Sequence, residues 1–276
     1  MNYSDHTNSI IRTAKIKANE IAVIILSTQS LQYDKFKNAI ACTWMRRMQE
    51  YGIKCYFYSG NHAETGIFRN TEIKVTTSDV LWHTSEKLIA ALDLLIEKHP
   101  ELKLVYRTNL SSYIDVDNFL TYIREKGLDV RTYTGVVGET TYIREYLYRN
   151  RYLHKLFTIL PIGEKIRFAS GAGFFIGVNH VQRLLSLPFR HSRLIDDVMV
   201  AKTLEIKPDE TISPLRFDIS GTGSHKVSAM AYENMTRAGL LFHYRFKTHD
   251  RSKDAEILKA FDDREFRYDF CTIDNL

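Results

Sequence analysis

The chain has 276 residues, 44% hydrophobic and 26% charged, the make-up of a globular protein with a sizeable core rather than of a disordered or fibrous one. A formal charge of +5 without a long basic block suits an anionic ligand and does not by itself imply a nucleic-acid partner. Cys42, Cys55 and Cys271 form neither metal-ligand spacing nor an even disulfide framework, so a reducing compartment is expected.

Residues 1–20 read as a polar extension without the apolar centre of a signal peptide, and Ile21 to Leu26 is far too short to span a bilayer. The expectation is a soluble, cytoplasmic protein. That same run, rich in β-branched residues, reads as a strand buried on both faces and ending at Ser27-Thr28. Phe36, Ile40, Trp44, Met48 and Tyr51 recur at helical spacing, and Gly52 caps the pattern. Ile53 to Tyr58 is a second strand, Ser59 to Asn70 a loop, and Glu72 to Thr76 a short third strand. Leu88, Leu92, Leu95 and Ile96 mark a helix stopped by Pro100. Leu102 to Tyr106 is the next strand, and a helix runs from about Asp117 to Gly127 with Leu120 and Ile123 inward.

This alternation predicts an α/β fold, a parallel sheet with helices on both faces. Ligands in such sheets sit beyond the carboxyl ends of the strands, here Ser27-Thr28 and Arg107 to Ser112. Residues 21–250 read as one domain in two halves, 21–127 and 128–250, and residues 251–276 as a tail. In the second half, Thr141 to Tyr152 interleaves aromatics with arginines. It reads as an amphipathic helix with Ile143, Tyr146 and Leu147 inward, with contact to an acceptor or to nucleic acid as alternatives.

Two fragments carry the chemistry. Ala169 to Ile176 is a run of small residues leading into an apolar segment, where a backbone either packs tightly or lies close to a bulky polar ligand. Leu194 to Val198 embeds Asp196-Asp197 between apolar residues, which is either a helix-start pair or a catalytic pair, since aspartate is rarely buried without a partner or a task.

Four segments in one order resemble a known family. Lys37 to Trp44 is similar to the arginine-x-alanine-isoleucine-x-x-threonine-tryptophan signature of the β-1,3-galactosyltransferases, with Lys37 in the arginine's place. Ala169 to Phe175 resembles their small-residue segment. Asp196-Asp197 resembles the paired acids of the related fringe glycosyltransferases, and Phe242-His243 the phenylalanine-histidine near the end of the fringe domain. The resemblance spans about Ile21 to Lys247. It implies a GT-A-type, mostly parallel central sheet flanked by helices, with a Rossmann-like nucleotide-binding half and an acceptor half. It also implies an inverting transfer from a nucleotide-sugar, a UDP-sugar by expectation, to a hydroxyl on a glycan, glycolipid or glycoprotein.

One departure stands out. The family's aspartate triplet, which holds a divalent metal, is met here by Arg107-Thr108-Asn109-Leu110-Ser111. The neutral oxygens of Asn109 and Ser111 would hold Mn²⁺ or Mg²⁺ weakly, with His243 as a further candidate ligand. No metal is expected to be required. The literal Asp-x-Asp at Asp115-Val116-Asp117 falls at a helix start, where aspartate is an N-cap.

The resemblance assigns the general base to Asp197, with Asp196 raising its proton affinity or holding a hydroxyl. Gly171, Ala172 and Gly173 would border donor or acceptor sugar. Thr28 would lie at the nucleotide, and Lys37, Arg107, His243, Arg245 and Lys247 would meet the diphosphate, joined by Asn109 and Ser111. Trp44 reads as core, while Trp82 is undecided. The competing readings are a GT-A-fold protein that binds nucleotide or sugar without turnover, and an RNA-binding protein.

Overall fold

A computed structural model describes residues 16–68, 71–146, 163–188, 193–220, 241–248 and 251–262. The first half contributes β1 (Ile21–Leu26), α1 (Asp34–Cys42), α2 (Trp44–Glu50), β2 (Lys54–Ser59), β3 (Gly66–Phe68), β4 (Glu72–Lys74), α3 (Thr84–Lys98), β5 (Leu104–Asn109), β6 (Ser112–Ile114) and α4 (Val116–Glu125). The second contributes β7 (Tyr133–Thr141), α5 (Tyr142–Tyr146), β8 (Lys165–Gly177), α6 (Val178–Ser186), α7 (Asp196–Leu204), β9 (Leu215–Ser220), β10 (Leu241–Lys247) and α8 (Arg251–Asp262).

A seven-stranded sheet runs β3-β4-β2-β1-β5-β8-β7. Its centre, β4, β2, β1 and β5, is parallel, as the alternating elements predict. β3 at one edge and β8 at the other run against the central strands, and the outermost β7, antiparallel to β8, runs with them. The apolar run of β1 is explained by two cores. Ile21, Val23 and Ile25 pack in a layer shared with α1, α2, α4 and α8, while Ala22 and Ile24 face the layer of α3, α6 and α7. Each fully buried Val or Ile side chain contributes roughly 1.5–3 kcal/mol relative to exposure.

Several expectations need correction. The expected single helix around Ile40 breaks at Thr43, whose backbone leaves helical geometry while its hydroxyl donates to the Ala39 carbonyl at 2.7 Å. The apolar spacing runs on through the break, so the pattern hides it. The loop 59–70 contains the edge strand β3. Residues 251–262, expected in a tail, form α8, with Ala255, Leu258 and Phe261 buried in the first core. Of the Thr141 to Tyr152 segment, Tyr142 to Tyr146 form α5, and residues 147–152 lie outside the described residues.

A second sheet, β6-β10-β9, has no counterpart in the expected alternation. β10 pairs antiparallel with β6 and parallel with β9, setting His243 opposite both Ile114 and Arg216. Asp115 caps α4, accepting the Asn118 N–H at 3.2 Å, and Gly127 follows the helix at φ +62°. Asp117 is held by Arg47 and by the Tyr51 hydroxyl at 2.9 Å, which ties α4 to α2. Among the described residues, no helix is long and apolar enough to cross a membrane.

Candidate active site

The carboxylate pair opens α7. Asp196 and Asp197 occupy its first turn, as a helix-start pair would, yet they are only 4% and 7% exposed. Asp196 forms a buried ion pair with Arg107 of β5, and its Oδ2 also accepts from the Tyr58 hydroxyl at 3.4 Å. Arg107 Nε in turn donates to Tyr58 Oη at 3.1 Å. Burial works against the Arg107 charge, but Asp196, Tyr58 and Asp197 outweigh it and keep the guanidinium protonated.

Asp197 is held differently. Its Oδ2 accepts the Gly171 N–H at 2.6 Å and its Oδ1 the Val198 N–H at 2.9 Å. Burial, then the charge of Asp196, pushes its carboxyl up to about 7, against the opposing pull of Arg107 and the two N–H donors. A carboxylate has about four lone-pair sites, so acceptor capacity remains for a substrate hydroxyl.

The small-residue run lies inside β8, where Gly173 pairs with Thr108 of β5. A Cβ on Gly171 would stand 2.9 Å from Asp197 Oδ2 and 3.0 Å from Arg107 Nη1. One on Gly173 would stand 2.2 Å from Tyr106 Oη and 2.5 Å from His243 Nδ1. The glycines therefore admit the chain's own side chains, the tight-packing reading of the small-residue run. The Ala172 carbonyl is likewise engaged, by the Thr108 hydroxyl at 2.7 Å.

His243 is buried between Tyr106 Oη on Nδ1 and Ser112 Oγ on Nε2, both at 2.9 Å. Burial, then the charges of Arg216 and Arg245, holds its imidazole well below the ordinary value, so it is neutral. In the turn between β5 and β6, Asn109 Oδ1 accepts the Ser111 N–H at 3.0 Å and the Ser112 hydroxyl at 3.4 Å. The Ser111 carbonyl accepts the Phe246 N–H. These residues do not fit a divalent cation: both histidine nitrogens and the asparagine oxygen already serve the chain itself. Among the described residues, no group of three or more His, Cys, Asp or Glu side chains could hold a metal.

Asp196, Asp197, Gly171 and Arg107 thus converge, and Gly173, His243 and Asn109 form an adjoining network through Ser112. Arg107, expected at a diphosphate, is a buried partner of Asp196. Arg245 lies on the same face of β10 as His243, and Lys247 is exposed at that strand's end. Thr28 and Lys37 sit apart from the carboxylates. Thr28 bonds Asp79, and Lys37 pairs with Asp34 at 3.4 Å on α1.

Tyr58, Arg216 and the Asp79–Lys87 pair gave no warning in the sequence. Tyr58 is one apolar-patterned strand residue among many. Arg216, which donates to Ser170 Oγ at 3.1 Å and pairs with Asp218, lies in no motif. Only the sheet register sets Arg216 beside His243.

No protein-family model and no curated protein sequence matches the chain. Among solved structures, a glycosyltransferase described as involved in the glycosylation of the major capsid of PBCV-1 aligns at a TM-score of 0.43 and 10% identity, over 87% of this chain and 98% of that one. A likeness this distant carries no argument about activity.

Proposed function

We propose that this protein is an inverting glycosyltransferase of GT-A type, moving a sugar from a nucleotide-sugar to a hydroxyl of a glycan acceptor. One observation supports the reading: three of the four segments that resemble the family meet, and the fourth joins them through Ser112. Trp44 Nε1 donates to the Ser112 carbonyl at 3.0 Å, and Ser112 Oγ meets His243 Nε2 at 2.9 Å. His243 closes on Gly173, and two residues away the Gly171 N–H meets Asp197 at 2.6 Å.

In this reading the acceptor oxygen attacks the anomeric carbon and its proton passes to Asp197. The bond from that carbon to the diphosphate oxygen breaks, and the nucleoside diphosphate leaves with the electron pair. A carboxyl poised near 7 is matched to taking a proton at neutral pH, a contribution of roughly 10²–10⁴-fold. With Arg107 engaged inside, charge on the departing diphosphate falls to Arg245 and Lys247 of β10, without a required metal. A UDP-sugar is the donor to try first.

The test is turnover of a nucleotide-sugar panel in excess chelator, with calorimetric donor binding alongside. Product is expected without metal. Asp197→Asn is expected to lower turnover about 10³-fold while donor affinity stays within a few-fold. Donor binding without product for any acceptor would favour the non-catalytic binder, a reading to which the deep burial of Asp197 lends weight. Activity lost in chelator and restored by Mn²⁺ would overturn the metal-free mechanism.

A further inference from the structure

We propose that Arg107 is a positioning residue that splits the labour of the two carboxylates, clamping Asp196 as a fixed anion and leaving Asp197 to exchange the proton. The proton's destination rests on the glycosyl-transfer reading above; the clamp itself does not.

The geometry is asymmetric. Asp196 is held by side chains, its Oδ2 by the Arg107 guanidinium and the Tyr58 hydroxyl, while its own N–H reaches Thr84 Oγ1 at 3.3 Å. Asp197 accepts the backbone N–H groups of Gly171 and Val198, which are neutral donors. Gly171 makes the arrangement possible: the position of its missing Cβ lies 3.0 Å from Arg107 Nη1 and 2.9 Å from Asp197 Oδ2. The guanidinium thus bonds one acid and borders the other.

Two adjacent carboxylates cannot both ionise cheaply in a buried site. With Arg107 present, the three groups sum to zero when Asp197 holds a proton and to minus one when it does not. Without Arg107, the same two states carry minus one and minus two. Tyr133 of β7 also acts on Asp197, whereas Tyr58 of β2 acts on Asp196 and Arg107. Lys87 of α3 is committed to Asp79 at 2.9 Å. Arg107 is therefore the cation that sets the balance.

The experiment is the pH profile of kcat/KM for the wild type and for Arg107→Met, Arg107→Lys and Asp196→Asn, with the Asp197 carboxyl followed by ¹³C NMR in the same proteins. Arg107→Met should move the acid limb upward by about one pH unit, a tenfold loss of rate on that limb, and Arg107→Lys should bring it back toward wild type. Asp196→Asn should move it downward, because the like charge is gone and Arg107 then acts on Asp197 alone. A residue that merely packs would lower the plateau without opposite displacements, and that result overturns the proposal. If Arg107→Met does not fold, Arg107→Lys and Asp196→Asn carry the same comparison. Opposite NMR shifts with no product from any donor would sustain the clamp and sink glycosyl transfer; product with an unmoved limb would sink the clamp alone.

Discussion

Two buried carboxylate–cation clusters lie near the carboxyl ends of the central strands, and they differ in how completely the carboxylate is satisfied. Asp79 pairs with Lys87 at 2.9 Å and accepts from Gly60 N at 3.0 Å, Gln29 N at 2.8 Å and the Thr28 hydroxyl. Burial alone would raise its carboxyl, but the hydrogen bonds from Thr28, Lys87, Gly60 and Gln29 outweigh burial and hold it below the ordinary value. Asp197 has two backbone donors, a charged neighbour and a cation already committed to that neighbour. The same residue type is thus a fastening in one place and a carboxyl that keeps its proton to higher pH in the other. Burial does not mark a site; incomplete compensation does.

Breaking the fastening should have the largest effect. Lys87→Met leaves Asp79 buried without its cation, and urea denaturation is expected to show a loss of about 3–5 kcal/mol. A loss under 1 kcal/mol would mean the two clusters differ less than their contacts indicate.

The clusters should also respond to pH with opposite signs. Asp197 binds its proton more tightly folded than unfolded, so the native state holds the extra proton between about pH 4 and pH 7. Its contribution therefore declines as pH rises through that window, by an amount on the order of 3 kcal/mol, and Asp197→Asn should flatten the decline. Asp79 is shifted the other way. Its stabilisation is present above its unfolded value and is lost as pH falls through its lowered folded value. Thermal melts of the wild type, Asp197→Asn and Asp79→Asn between about pH 2 and pH 8 separate the two, Asp79 acting below its unfolded value and Asp197 above it; parallel slopes would erase the distinction.

The smallest effect is expected from Thr28→Val, which removes one of Asp79's several donors and should cost about 1 kcal/mol. Unchanged stability with weakened nucleotide binding would return Thr28 to the ligand and away from the fastening.

What was legible followed the residues' own local physics. An unbroken β-branched run can only be a strand covered on both sides, and Asp115 before an apolar helical face caps it. Small residues at Gly171 and Gly173 signalled close approach, and acids between apolar residues signalled a paired or working carboxylate. The partners were not legible. Nothing local in Ile53 to Tyr58 marks Tyr58 as a ligand of Asp196, and the Arg107 guanidinium reads equally well as a phosphate binder. The helix break at Thr43 hid because apolar spacing continued across it. The strand pairing of β9 with β10 joins distant segments, which no short window of sequence can register.

By itself the sequence determined the parallel core strands and main helices of the first half, and which few residue types are costly enough to bury that they must have partners. The tertiary structure decided who those partners are: Arg107 for Asp196, bare backbone for Asp197, side chains rather than sugar against the glycines. The reason is physical. Periodicity and capping act over a few residues along the chain, whereas the energy of a buried charge depends on every group within several ångströms, and only the packed sheet chooses those groups.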